Sequence, residues 1–304
     1  FAQAEPSAPL IAAAHRLQAD DARVQTIAFR LNTASAAFCP HVQPSIGLLL
    51  QDVRNFSKPD AVRSALGIAG DFAVEAVAAG SPADKAGLKA GDEVMGVGDL
   101  ALASLPSAIS GDFARLAQVH DRIDAELARS GAVSLKLANR SVTIAAVPAC
   151  LSRFELLTEG DRAVADGARV LISRRTLART LSDDEAAFLL AHELAHNVLG
   201  HRARLDAGGR SADAVRKTER EADRLALWLM ANAGYNPAAA PAFMRRYGPK
   251  GLLALVQEPT HDRAEDRARM LETELHDMGA ASADGRRDWR LRFSLPPLHV
   301  RPRD

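Results

Sequence analysis

The run His192-Glu193-Leu194-Ala195-His196 combines two side chains that hold a transition-metal ion with a carboxylate that can move a proton. Residues four apart on an α-helix share a face, so both imidazoles can converge on one ion. Glu193 is offset by about 100° from His192 and can serve as a general base without ligating. Imidazole nitrogen suits zinc, and a hydrolytic zinc site adds one more protein ligand and keeps a position for water.

The third ligand has to come from elsewhere in the chain. Leu199 and Arg202 stand where a glycine and a third histidine would complete one common arrangement, so that pattern fails. His201, five residues after His196, falls off the metal-facing stripe of a continuous helix and reads as a packing or supporting residue. A glutamate from a following helix is the other solution, and Glu219 and Glu221 both qualify. Glu219 shares a helical face with Ala222, Asp223, Ala226 and Met230, whereas Glu221 lies with Leu225 and Trp228. Periodicity alone does not settle which face is buried. Asp223 tips the choice, because one turn after Glu219 it can hydrogen-bond a ligand imidazole and fix its tautomer. The expected ligand set is therefore His192, His196 and Glu219, holding one zinc per chain.

These residues need helices to aim them. Ser182-Asp183-Asp184-Glu185 is a capping box, which predicts a helix running to about residue 199, with Gly200 as its stop. A second helix is expected over residues 212–233, closed by Gly234 and Pro237, and a third over residues 263–278. Residues 168–173 read as a strand, expected to be the edge on which an extended substrate pairs its backbone.

With these residues in place, the chain resembles the zinc peptidase family of HtpX and the CAAX prenyl protease. The resemblance rests on the His192–His196 motif, on Glu219 and Asp223 four residues apart, and on the flanks. Those flanks are the 182–185 box, Ala191, His201 and Gly234-Tyr235-Asn236-Pro237. It covers roughly residues 150–278 and implies an α+β fold, a mainly helical peptidase domain with a small edge sheet. That family usually carries a Thr-His-Pro element with an arginine six residues after the histidine. Here Thr260-His261-Asp262 and Arg267 stand in register, with Asp262 in place of the proline. The resemblance implies that His261 sits near the metal, as an oxyanion donor or a resting ligand. It also implies that Arg267 orients substrate backbone or a carboxylate of the cleft. The activity implied is hydrolysis of peptide bonds in protein or peptide substrates.

A different texture precedes the peptidase segment. Short β-type runs alternate with glycine-rich turns over residues 62–148, around Gly80-Ser81-Pro82-Ala83 and Ala86-Gly87-Leu88-Lys89-Ala90-Gly91-Asp92. This order resembles a PDZ domain of the protease-associated bacterial type. The resemblance implies a carboxylate-binding loop at Leu66-Gly67-Ile68 and a partner with a free C-terminus. The expected division is a start at residues 1–9 and a helix and strand at 10–61 packing on the peptidase domain. The PDZ module at 62–148, the peptidase domain at 149–279 and a little-ordered tail at 280–304 follow.

Composition bounds these readings. The 304 residues carry 38 basic and 38 acidic side chains, and a formal charge of zero removes the electrostatic footprint of a nucleic-acid binder. The longest apolar stretch, residues 186–200, is interrupted by His192, Glu193, His196 and Asn197, so no membrane span is expected. Phe1-Ala2-Gln3-Ala4 ends in a small-x-small triplet and is read as the tail of a signal peptide, implying export to a periplasm. The two cysteines, Cys39 and Cys150, bracket the inserted module and are expected to form a disulfide, as an oxidising compartment permits. The expected function is an exported zinc endopeptidase acting on unfolded or misassembled envelope proteins. The alternative is a PDZ-containing scaffold or chaperone-like adaptor with little proteolysis, and the intact Glu193 argues against it.

Overall fold

Prolines at helix starts, left-handed glycines and serine caps mark several element boundaries among the described residues. The computed structural model describes residues 8–106, 110–247, 262–279 and 285–295. The expectations placed on residues 1–4 and on His261 lie outside the described residues. The architecture mixes helix and sheet, as an α+β reading requires, in two units. One comprises the chain up to Phe29 and Gln43–Pro148; the other comprises Arg30–Val42 and the chain from Ala149 onward. Helix α1 (Ala8–Ala34) contributes to both. No helix among the described residues is long and apolar enough to cross a membrane.

In the first unit, after β1 (Val42–Ser45), strand β2 (Leu48–Asp52) pairs antiparallel with β3 (Phe72–Val77). Between them lies α2 (Pro59–Leu66), with Pro59 at the start of the helix, where its missing N–H costs nothing. Ser81 caps α3 (Pro82–Lys85), its hydroxyl accepting from Asp84 N–H at 3.2 Å. A four-stranded antiparallel sheet runs in the order β5 (Leu100–Ala101), β4 (Val94–Val97), β6 (Ala132–Leu137), β7 (Ser141–Ala145). Helix α4 (Ala114–Ser130) buries Val119, Ile123 and Leu127, spaced for one face, in a core shared with Leu50, Phe72, Val74 and Leu135.

Two expectations are corrected here. The segment 10–61 was expected to pack on the peptidase domain, yet residues up to 29 and from 43 belong to the first unit. The β2–β3 pairing and the bond from Ala79 N–H to Thr26 Oγ1 (3.0 Å) hold them there. Leu66-Gly67-Ile68, expected to be a carboxylate-binding loop, is the C-terminal stop of α2. Gly67 adopts φ 67°, and the N–H groups of Gly67 and Ile68 bond to carbonyls of α2. The next two amides, Ala69 and Gly70, donate to the Glu93 carboxylate. No amide from 67 to 70 is left for a peptide carboxylate.

In the second unit, after β8 (Val147–Cys150), a three-stranded sheet is ordered β10 (Ala163–Ala165), β11 (Arg169–Ser173), β9 (Arg153–Leu157). Strand β11, expected to be an edge, is the central strand; β10 and β9 flank it. After α5 (Arg174–Leu177) come α6 (Asp183–Val198), α7 (His201–Gly208), α8 (Ala212–Asn232), α9 (Ala239–Tyr247) and α10 (Ala264–Asp277). Cys39 and Cys150 are disulfide-bonded, with Cα atoms 5.6 Å apart and 111 residues of separation. The C-terminal segment also departs from expectation. Residues 285–295 are anchored by Trp289, which is fully buried and meets Phe38 edge-to-face at 6.3 Å. The Asn232 side chain bonds both the N–H and the carbonyl of Arg287.

Candidate metal centre

Helix α6 starts where its capping box predicts. Ser182 Oγ accepts from Glu185 N–H at 3.2 Å, and Glu185 reaches back to accept from Leu181 N–H at 2.6 Å. Three acidic residues in the first turn complement the helix dipole. The helix is buried almost all round, with Ala186, Leu190 and Leu194 inaccessible, so it runs through the middle of the unit rather than over its surface. Ser211 caps α8 through Ala214 N–H at 3.2 Å, and Ala222, Leu225, Ala226 and Leu229 are all buried. These packed helices fix the metal-facing side chains without relying on loops.

Three donor groups converge. His192 Nε2 lies 3.2 Å from His196 Nε2 and 3.4 Å from Glu219 Oε2, and His196 Nε2 lies 3.4 Å from Glu219 Oε1. Donors of a tetrahedral zinc ion bound at about 2.0–2.1 Å stand about 3.3–3.4 Å apart, so this spacing fits zinc. His192, His196 and Glu219 are also the one cluster of His, Cys, Asp and Glu among the described residues with ligand spacing. Of the two glutamates that periodicity left open, Glu219 faces the histidines and Glu221 faces His201.

Each histidine has a partner on its other nitrogen. His192 Nδ1 lies 2.9 Å from Asp223 Oδ1, and Arg267 donates to both Asp223 oxygens at 2.7 Å. Arg267 thus engages a carboxylate of the site, one of the two roles the resemblance implied for it. Burial disfavours the Asp223 carboxylate, but the Arg267 charge and the His192 contact outweigh it and hold the pKa at about 2. Burial likewise lowers His192, yet hydrogen bonds to Asp223 and Glu219 lift it to about 10. His196 drops to about 3, through burial and then the His192 charge. Asp262, standing where the resemblance expected proline, pairs with Arg220 at 2.8 Å.

Glu193 is buried and lines a cleft of about 740 Å³ together with His192, His196 and Glu219. One wall is apolar: Phe188 and Phe243 meet edge-to-face at 6.0 Å, and Tyr247 stacks on Phe243 at 5.0 Å. Strand β10 also lines the cleft. Among the described residues β10 pairs only with β11. Arg162 O accepts from Ser173 N–H and Asp166 N–H donates to Arg169 O, so residues 162, 164 and 166 face β11. Strand alternation turns the N–H and C=O of Ala163 and Ala165 outward.

Sequence reasoning missed Asn197. Its Nδ2 donates to Ser152 Oγ (2.8 Å) and Arg169 O (3.1 Å), and its Oδ1 accepts from Gly167 N–H (2.8 Å). It thereby ties the metal-bearing helix to the sheet. The one sequence signal was a buried polar residue next to a ligand histidine.

Among the described residues, two histidines and a glutamate placed to hold a metal ion line one cleft together with strand β10. Residues 163–211 match the family model described as Peptidase family M48, and this match supports a metallopeptidase of a zinc-dependent family. The matched segment contains β10, β11, α6 and both histidines, and ends before Glu219. No curated protein and no solved structure matches the chain.

Proposed function

We propose that this chain is a zinc endopeptidase whose ligands are His192, His196 and Glu219. The observation that carries the reading is the convergence of their donor atoms: the two Nε2 atoms lie 3.2 Å apart, and each lies 3.4 Å from one oxygen of the Glu219 carboxylate. Bound there, zinc supplies a Lewis acid for the peptide carbonyl and lowers the pKa of water towards neutrality. A carboxylate oxygen of Glu193 takes the proton of the attacking water and returns it to the leaving amine nitrogen. Asp223 and Arg267 keep His192 oriented. Ala163 and Ala165 hold an extended substrate by backbone hydrogen bonds along β10.

The apolar wall of Phe188, Phe243 and Tyr247 favours chains that expose large apolar side chains. That supports unfolded or misassembled proteins as substrates. The Cys39–Cys150 disulfide supports an oxidising compartment, and on that ground we place the protein in a periplasm. We assign it to the soluble branch of the HtpX and CAAX prenyl protease family, with the first unit as a PDZ-type module. The testing experiment compares cleavage of an unfolded protein by wild type and Glu193→Gln at equal zinc occupancy.

A further inference from the structure

The two ligand histidines are steadied in different ways. Behind His192 stands a carboxylate. Behind His196 stands another imidazole: His201 Nδ1 lies 2.9 Å from His196 Nδ1, with the rings edge-to-face at 4.8 Å. His201 is 1% exposed. Its Nε2 lies 3.2 Å from Glu221 Oε2, and that same oxygen accepts from Arg204 at 2.6 Å.

Only one proton arrangement satisfies this chain of contacts when His196 binds a metal. Its Nε2 must offer a lone pair, so its proton sits on Nδ1. That N–H donates to His201 Nδ1, which must then be unprotonated. The His201 proton is left on Nε2, where it donates to the Glu221 carboxylate. The other tautomer of His201 would set two N–H groups head to head and aim a lone pair at a carboxylate.

We propose that His201, Glu221 and Arg204 form a positioning relay for the second metal ligand. The relay holds His196 in its Nδ1–H tautomer and raises the basicity of Nε2. This rests on the zinc site proposed above. It also gives both candidate glutamates of α8 a place, Glu219 on the ion and Glu221 two residues on, behind His196.

A local break in the helix makes the relay possible. On an uninterrupted helix position 201 would lie about 140° around from His196. Gly200 takes φ 62°, ending α6 and starting α7 in a new direction. His201, first residue of α7, thereby turns back on His196.

The test uses the full chain and three variants, His201→Phe, His201→Asn and Glu221→Gln. Zinc dissociation constants come from chelator competition, with melting of the metal-free proteins as a fold control. Long-range ¹H–¹⁵N spectra of the zinc-loaded wild type report which nitrogen of each histidine carries the proton. His201→Phe should weaken zinc binding about 10- to 100-fold. His201→Asn, whose Oδ1 can replace Nδ1 as acceptor, should restore most of it, and Glu221→Gln should fall between. The spectra should show His196 protonated at Nδ1 and His201 at Nε2. A wild-type His201 protonated at Nδ1 overturns the relay even if a variant fails to fold. So does zinc affinity unchanged in folded His201→Phe. Wild type that binds no stoichiometric zinc would instead overturn the peptidase reading on which the relay depends.

Discussion

Asp223 Oδ1 lies 2.9 Å from His192 Nδ1, and the same carboxylate receives two hydrogen bonds from Arg267 at 2.7 Å. The aspartate is fully buried, so its charge is tolerated only because both partners are present. Asp223, on α8, thus links His192 of α6 to Arg267 of α10.

Replacing Asp223 should therefore separate two effects. Asp223→Asn keeps an acceptor for His192 but leaves the Arg267 charge uncompensated. Zinc affinity should fall about 10- to 100-fold. Stability should fall by about 3–5 kcal/mol, the range for breaking a buried ion pair. Adding Arg267→Met should recover part of the stability and none of the affinity. Chelator competition and chemical denaturation read the two effects, and unchanged affinity in Asp223→Asn would remove the aspartate from the site.

The outward amides of β10 give a prediction specific to substrate binding. Ala165→Pro removes an N–H that points away from β11, at a residue lining the cleft, while leaving the ladder to β11 intact. Cleavage of unfolded protein should drop, mainly through KM, while zinc stoichiometry stays the same. Normal KM in this variant would move substrate pairing away from β10.

The disulfide closes a loop of 111 residues that contains most of the first unit. Chain-entropy reasoning gives such a link about 4–5 kcal/mol of stabilisation. The Cys39→Ser/Cys150→Ser double variant should unfold at clearly lower denaturant concentration. Non-reducing peptide mapping of protein matured in an oxidising compartment should recover the 39–150 pair, and two free thiols there would contradict it.

Glu75, on β3, is buried and hydrogen-bonds Asp21 of α1; burial first, then the Asp21 charge, pushes its pKa up to about 8. The folded state therefore holds a proton that the unfolded chain releases near pH 4.5. Its contribution is complete below that pH and is lost as pH rises towards 8, at up to about 1.4 kcal/mol per pH unit. Denaturation from pH 5 to 8 should show this loss in wild type and a flatter profile in Glu75→Gln. Parallel profiles would place the proton elsewhere.

The helices carrying the site were legible because caps and spacing are local. Ser182 and Glu185 mark the start of α6, and the four-residue interval puts both histidines on one face. His201 was read as a packing or supporting residue, which its burial behind His196 fits; the contact itself was hidden because helical phase assumes an unbroken helix, and Gly200 breaks it with a left-handed φ. Strand β10 spans three residues, too few to show alternation, so the edge was assigned to its longer neighbour β11. Trp289 buries one large ring from an arginine-rich segment without apolar periodicity, a tertiary event that no local pattern announces. The Leu66–Ile68 turn has a loop-like composition, but its amides were already taken by α2.

The central claim is that Glu193 moves the proton in a zinc-dependent cleavage, and one paired measurement addresses it. Wild type and Glu193→Gln are brought to one zinc per chain, verified by metal analysis, and given the same unfolded protein. The variant should retain its zinc and lose cleavage by about 10²- to 10⁴-fold. Equal cleavage by the two proteins at equal zinc would contradict the account.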